Sequence, residues 1–194
     1  MRTYRTVNLS VLWFLIALNV VIFIIELVIG GEPINEIIRF LGLTPALLSK
    51  QPWTIISSMF VHGSLWHILF NMIGLYFLGS FLIRAVGERS FLAVFFLGGL
   101  AGNALYFLLG PPLTPAVGAS GAIFALGGAL AVMVPRVPVL IIPIPVPIPL
   151  WVAIIIFFFL SFLPGIAWQA HVGGLLLGLI AGLIFRRRKR IYYF

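Results

Sequence analysis

The sequence predicts an all-α membrane protein: a bundle of six transmembrane helices with both termini in the cytoplasm. Hydrophobic residues make up 62% of the 194 residues and charged residues 8%, whereas a soluble domain carries about 25% charged residues. The mean hydropathy is +1.22. Six apolar runs are separated by breaks that contain glycine and proline, and most positively charged residues lie in every second segment between these runs. We expect one integral membrane domain over residues 1–194, with a core at about 50–185 and a basic tail at 186–194.

Six apolar runs are candidates to cross the bilayer, which takes about 20 mostly apolar residues, with a range of roughly 17–25. They cover residues 9–29, 65–84, 90–109, 120–134, 150–164 and 169–185. The fourth and the sixth, which contain the unusual polar residues, are short, and the fifth is as short as the fourth. The breaks between them fall at residues 30–31, 87–89, 110–112, 135–149 and 164–165. The alternating prolines of residues 143–149 exclude a helix there, because proline lacks an N–H. This stretch favours a stiff connector at the cytoplasmic interface over a ligand for a proline-reading domain.

Positive charge predicts the orientation of the spans. Ten of the twelve cations fall on one side of the predicted membrane: Arg2, Arg5, Arg84, Arg89, Arg136 and the run 186–190. The other side holds Arg39 and Lys50, together with Glu26, Glu32 and Glu36. The side with more positive charge is expected to be cytoplasmic, so the second, fourth and sixth spans begin at the outer face. The terminal basic run is a topology anchor and does not indicate a nucleic-acid partner.

The first outer loop, residues 30–64, is long and contains many apolar side chains. Ile34, Ile37, Ile38 and Leu41 recur at near-helical spacing. We expect short amphipathic helices lying in the interface instead of a disordered loop. Tryptophans at positions 53 and 66 would anchor the loop at headgroup level.

Missing residue types exclude several classes of membrane enzyme. The chain has no cysteine, so it has no disulfide, thiolate metal site or cysteine nucleophile. It also has no aspartate, which excludes a membrane aspartyl protease and a Ser-His-Asp triad. No H-E-x-x-H motif is present, which excludes a membrane zinc metalloprotease. We expect neither a metal nor a cofactor.

Four polar residues fall at a similar depth near the outer ends of three spans. His67 and Asn71 are four residues apart and share one face of the second span. Ser120 lies at the first turn of the fourth span, and His171 lies at the start of the sixth. A lone membrane serine usually bonds its own helix backbone, and a lone histidine or asparagine often bridges helices. The four together, with ionisable groups that are costly inside a bilayer, indicate a functional site.

Small residues predict which spans meet. Stripes of small residues let two helices approach closely. The sixth span carries such a stripe after His171, and the fourth carries a matching stripe after Ser120, so the two side chains should meet. The expected packing glycines are Gly118, Gly121, Gly174 and Gly178, with Ala125, Gly128 and Gly182 continuing the stripes and Gly98 and Gly102 packing the third span.

A serine attacks a carbonyl group when a base removes its proton. His171 can serve as this base for Ser120, and Phe124, one turn after the serine, can offer a ring face to orient the imidazole. His67, Asn71 and the backbone N–H of Ser120 are candidate donors to an oxyanion, aided by the helix dipole. Ala122 stands where the G-x-S-x-G elbow has its last glycine, so the soluble hydrolase fold is rejected.

These motifs resemble the rhomboid family of intramembrane serine proteases. The matching segments are His67-Ile68-Leu69-Phe70-Asn71, Gly118-Ala119-Ser120-Gly121 and residues 170–178, AHVGGLLLG. The resemblance implies Ser120 as nucleophile, His171 as base, and His67, Asn71 and backbone amides as the oxyanion site. It also implies cleavage of transmembrane helices of other proteins, usually after a small residue and without a metal or cofactor. The fifth span and residues 163–169 would be a lateral gate and cap.

Two positions depart from the family pattern. Many members have Trp-Arg in the first loop, where this chain has Trp53 followed by Thr54, and many bacterial members have a tyrosine at the position of Phe124. Neither change removes a residue of the dyad. His62 is expected to be a loop residue at the interface without a catalytic role.

Two other functions remain open at this point. A non-proteolytic membrane chaperone or binding protein of the same fold would not need all four polar residues. A small transporter would place His67 and Asn71 along a pore, but the spans show no internal repeat and no deep acidic residue. A protease should reside in the cell or plasma membrane with its site open to the extracytoplasmic side. Its partners would be transmembrane substrates and the lipid bilayer.

Overall fold

A computed structural model describes residues 7–29, 35–141 and 146–188, and these residues are mostly helical. The helices in chain order are α1 (Ser10–Ile29), α2 (Asn35–Leu41), α3 (Thr54–Ser57), α4 (Leu65–Val86), α5 (Glu88–Leu109), α6 (Ser120–Met133), α7 (Leu150–Leu160) and α8 (Trp168–Arg188). Two 3₁₀ turns (Pro45–Leu47 and Ser58–Phe60) lie beside α3, and two short strands, β1 (Pro138–Val139) and β2 (Ile148–Pro149), lie between α6 and α7.

Four of the helices in the described ranges are long and apolar enough to cross a membrane: α1, α4, α5 and α8. α6 and α7 are shorter, with 14 and 11 residues. At 1.5 Å per residue they are about 21 and 17 Å long, less than the roughly 30 Å of a bilayer's hydrocarbon core. All six predicted spans are therefore helices, but two of them are short. α7 ends at Leu160 instead of residue 164, because a turn leads there into Pro164 and into Gly165 at φ +81°.

Several sequence predictions lie outside the described residues. They concern Arg2, Arg5, the Gly30-Gly31 break, Glu32, part of the proline-rich connector (142–145) and the chain from residue 189 onward. In the described part of the connector, β1 and β2 pair as an antiparallel hairpin, with Pro138 opposite Pro149. This extended backbone agrees with the prediction that prolines exclude a helix here.

From residue 35 onward, the first outer loop folds into short helical segments, as the spacing of Ile37, Ile38 and Leu41 predicts, whereas Ile34 lies outside the described residues. Trp53 donates its ring N–H to the Phe40 carbonyl at 2.8 Å, and the two rings lie 5.1 Å apart. Leu43 pairs with Ala116 through two backbone hydrogen bonds of 2.9 Å. This pairing ties the loop to the segment that leads into α6.

α6 is the centre of the bundle and packs against α4, α5, α7 and α8. Nine of its 14 residues are buried, and most of them are glycine or alanine. Its closest neighbour is α8, where Gly174, Gly178 and Gly182 face the backbone carbonyls of Gly121, Ala125 and Ala129. A side chain at any of these three glycines would overlap the facing carbonyl. These contacts lie along the small residues that the sequence singles out in the fourth and sixth spans.

Gly118, one of the predicted packing glycines, lies in a turn and not within a helix. It lies before α6 at φ +111°, a backbone conformation that favours glycine. Its Cα faces the ring of His67, a residue of α4. The sequence motif around Ser120 suggested a stripe, but the chain turns at this glycine before the helix begins.

The contact of α6 with α8 predicts that Gly178→Ala destabilises the protein. The added methyl group would overlap the Ala125 carbonyl, and overpacking of this kind typically costs about 1–3 kcal/mol. The matched control is Gly63→Ala, where the nearest atom to the new Cβ lies at 3.9 Å. The free energy of unfolding in detergent should fall only for Gly178→Ala. Equal stability of the two variants would contradict the close approach of the helices.

Candidate active site

Ser120 is the first residue of α6 and is half-buried. The turn at Gly118 brings the chain into the helix, and Ala119 precedes the serine at φ −74° and ψ 0°. The first N–H groups of a helix have no partner within it, and the helix dipole adds positive potential at this end. The Ser120 hydroxyl therefore lies where several backbone donors converge.

His171 lies in the first turn of α8 and is 8% exposed. Its Nε2 is 2.7 Å from the Ser120 Oγ. The Phe124 ring stacks on the imidazole, with centroids 4.4 Å apart and planes at 21°. The structure thus brings together the serine, the histidine and the aromatic ring that the sequence singled out.

Ser161 also contacts His171, and the sequence reasoning missed it. Its Oγ lies 2.8 Å from the imidazole Nδ1. The same hydroxyl donates to the Phe157 carbonyl at 3.0 Å. One signal was available: Ser161 carries the only hydroxyl group in residues 150–167. Nothing in the sequence, however, indicated that the end of α7 would lie against the start of α8.

His67 and Asn71 lie on α4 beside this group. A Cβ placed on Gly118 would lie 2.6 Å from the His67 Nε2, so this ring packs directly against the backbone before Ser120. Asn71 is buried and donates its side-chain N–H to the carbonyl of His67 at 2.8 Å. The amide of Asn71 therefore bonds its own helix, not the Ser120 hydroxyl, in this conformation.

His62 is fully buried, whereas the sequence placed it at the interface. Its ring meets that of His67 edge-on, with centroids 5.1 Å apart, and neither ring nitrogen has a hydrogen-bond partner. Its backbone N–H donates to the carboxylate of Glu26, a buried residue of α1, at 3.3 Å. Burial, with a smaller contribution from His67, lowers the pKa of His62 to about 3.

A second set of polar contacts holds the turn before Ser120. The backbone N–H of Gly118 donates to the Ser58 carbonyl at 2.8 Å. Asn103 of α5 donates to the Ser58 Oγ at 2.9 Å and to the Ile55 carbonyl at 2.8 Å. The first outer loop therefore connects α5 to the turn at Gly118.

A small cavity lies beside the Ser120 side chain. Its walls are mostly small or apolar, and they consist of Met59, Gly99, Asn103, Ala116, Val117, Gly118, Ser120, Gly121, Ala167 and Ala170. Within the ranges that the structure describes, no group of three or more His, Cys, Asp or Glu side chains is placed to hold a metal ion.

The fold and the site define a helical integral membrane protein with a hydroxyl–imidazole pair buried near the ends of two closely packed helices. Residues 49–188 match the rhomboid domain family. This match covers most of the chain, so the protein belongs to the rhomboid family, as its motifs predict.

Curated relatives agree with this assignment. The chain is 27% identical over 176 residues to Rhomboid-like protease 3 of Toxoplasma gondii, which covers 87% of this chain and 66% of that protein. It is 29% identical over 203 residues to Rhomboid protein 1, mitochondrial, of Saccharomyces cerevisiae, covering 92% and 54%. It is 30% identical over 120 residues to Rhomboid protease GluP of Bacillus subtilis, covering 61% and 23%. The chain thus spans about half to two thirds of the length of the first two relatives.

The contact of Gly118 with His67 predicts that Gly118→Ala impairs the site. Gly87 provides a matched control, because it also has a positive φ, +88°, but no atom lies within 4 Å of an added Cβ. Both alanine variants carry backbone strain of about 1–3 kcal/mol, but only Gly118→Ala also displaces the His67 ring. Labelling by a fluorophosphonate should slow at least tenfold in Gly118→Ala and stay near wild type in Gly87→Ala. Equal labelling rates would contradict this role of the glycine.

The buried His62 predicts a loss of stability in acid. Its folded pKa of about 3 lies below the ordinary value of 6.5, so below pH 6.5 the unfolded chain binds a proton that the folded chain does not. Stability is therefore full above about pH 6.5 and falls as the pH decreases toward 3, by at most about 1.4 kcal/mol per pH unit from this residue. Unfolding curves of wild type and His62→Gln should converge as the pH decreases, since glutamine does not titrate. Parallel pH profiles would show that His62 is not the source.

Proposed function

We propose that the protein is an intramembrane serine endopeptidase that cleaves transmembrane segments of other membrane proteins through a Ser120–His171 dyad. The observation that carries this proposal is the 2.7 Å contact between the Ser120 Oγ and the His171 Nε2. Family membership and the similarity to proteins named rhomboid proteases support it. The whole chain, residues 1–194, would act as one membrane domain.

In the proposed reaction, His171 takes the Ser120 proton as the oxygen attacks the scissile carbonyl carbon. The tetrahedral intermediate collapses to an acyl-enzyme when the protonated imidazole gives the proton to the leaving amine. Water, activated by the same imidazole, then releases the new carboxyl end. Neither a metal nor a cofactor takes part in these steps.

The oxyanion would be stabilised at the start of α6. The backbone N–H of Ser120, in the first turn of the helix, would donate to the oxyanion together with the positive end of the helix dipole. The His67 Nε2 faces the turn at Gly118. Asn71 would have to exchange its bond to the His67 carbonyl for one to the oxyanion.

The proposed topology has six spans and both termini in the cytoplasm. α6 is about 9 Å shorter than a 30 Å hydrocarbon core. If Met133, at the end of α6, lies at the cytoplasmic boundary of that core, Ser120 lies roughly 9 Å below its outer boundary. The site would open to the extracytoplasmic side of a cell or plasma membrane. A lateral gate formed by α7 and residues 163–169 agrees with the exposure of about half of the residues in these two segments.

The cavity beside Ser120 supports a preference for a small substrate residue before the cut. Gly99, Ala116, Gly118 and Gly121 form much of its wall, leaving space for a side chain such as alanine. A bulky residue at this position of the substrate would clash with these backbones.

The test is cleavage of a single-pass model substrate, with alanine before the cut, by purified protein in detergent. Ser120→Ala and His171→Ala should each lose at least about 10³-fold in rate, because removing either member of a catalytic pair abolishes most of the acceleration. The control Ser80→Ala removes a hydroxyl that bonds only its own helix, at the Phe77 carbonyl, and should cut normally. Phenylalanine before the cut should slow wild type.

Three results would contradict parts of the proposal. Cleavage by both dyad variants at the wild-type rate would show that another protease is present. Equal cleavage of the alanine and phenylalanine substrates would contradict the role of the cavity. A wild type inactive on several substrates would favour a non-proteolytic binding protein of this fold.

A further inference from the structure

Ser161 is a buried polar residue in an otherwise apolar segment. It follows the last residue of α7 and is 2% exposed. The side chains before it on α7 are all apolar, among them Phe157, Phe159 and Leu160. Its hydroxyl is the one polar group that this helix end offers to the site.

Ser161 makes two hydrogen bonds, and the chemistry of its partners fixes which group donates in each. A hydroxyl group has one proton to donate and two lone pairs to accept with. The Phe157 carbonyl, 3.0 Å away, can only accept, so the Ser161 proton points to it. The bond of 2.8 Å between the Ser161 Oγ and the His171 Nδ1 must then be donated by the histidine.

This direction decides which nitrogen of His171 carries the proton. A neutral imidazole has one N–H and one bare nitrogen, and the partner of one nitrogen sets the state of the other. With the proton held on Nδ1, the Nε2 lone pair faces the Ser120 Oγ at 2.7 Å. This tautomer can accept the serine proton, whereas the opposite tautomer cannot.

We propose that Ser161 is a positioning residue that holds His171 in the tautomer with Nδ1 protonated and Nε2 free to act as base. The inference rests on the proposed function for its catalytic meaning, but its structural content stands on the hydrogen bonds alone. Phe124 fixes the plane of the imidazole by stacking. Ser161 holds the Nδ1 edge of the ring, so the Nε2 edge faces Ser120. In a Ser-His-Asp triad the aspartate orients the histidine. This chain has no aspartate, and Ser161 has that orienting role instead.

During the reaction the Nδ1 proton stays in place. His171 accepts the Ser120 proton on Nε2 and becomes a cation, while its Nδ1–H continues to donate to the Ser161 Oγ. The proton on Nε2 then passes to the leaving amine, which restores the neutral imidazole. Ser161 neither gains nor loses a proton, so it touches no reacting atom.

The first test is the tautomer of His171, measured by ¹⁵N NMR of histidine-labelled protein at pH 8. The chain has three histidines, and the His171 signals are assigned by comparison with His171→Ala. Wild type should show a protonated Nδ1 and a bare Nε2. Ser161→Ala should show a raised fraction of the Nε2–H form, while Ser80→Ala should match wild type. A wild type with Nε2 protonated, or an unchanged tautomer in Ser161→Ala, would overturn the proposal.

The second test is the kinetics of substrate cleavage. Residues that orient the histidine ligands of metals typically contribute about 10–100-fold to activity. We expect kcat of Ser161→Ala to fall by a similar factor, with KM changed less than twofold. Ser161→Thr keeps the hydroxyl and should restore both the tautomer and kcat. An unchanged kcat in Ser161→Ala, or a folded Ser161→Thr that behaves like the alanine variant, would refute the positioning role.

The two tests separate the two proposals. The NMR measurement needs no proteolysis, so it decides the bond of Ser161 even if wild type cuts no substrate. If wild type cleaves the substrate and Ser161→Ala has the same kcat and the same His171 tautomer, only the role of Ser161 is refuted and the proposed function stands.

Discussion

The close approach of α6 and α8 is the constraint on which the site depends. Glycines on α8 face the backbone carbonyls of α6 at three successive turns. Helices this close hold the first residue of one and the first turn of the other in a fixed relation, so the Ser120 hydroxyl meets the His171 imidazole at 2.7 Å. Larger side chains between them would separate the two groups by more than a hydrogen bond can span.

Among the residues that the structure describes, no carboxylate contacts the His171 imidazole. Three neutral contacts surround the imidazole: the Ser120 hydroxyl, the Ser161 hydroxyl and the Phe124 ring. They come from the ends of α6 and α7 and from one turn within α6. In an apolar bundle this arrangement avoids a second buried charge, which would need its own partner. Orientation of the imidazole therefore depends on packing and on one hydroxyl group.

The sequence predicts much of this arrangement and misses the parts that long-range packing decides. Regular spacing of small residues predicts the contact of α6 with α8, and the polar residues at one depth predict that Ser120 and His171 meet. No periodicity relates Ser161 to His171, because the turn between α7 and α8 sets their distance. The burial of His62 and the turn at Gly118 depend on how the first outer loop folds over α4 and α5. Asn71 shares a face with His67, but spacing alone cannot show that its amide bonds its own helix.

Mass spectrometry of the protein after reaction with a fluorophosphonate tests the proposed Ser120–His171 dyad most directly. The chain has nine serines, and only one activated by a neighbouring base should react. We predict a single adduct, on Ser120, that disappears in His171→Ala. An adduct on another serine, or labelling of Ser120 that does not depend on His171, would contradict the assignment of the dyad.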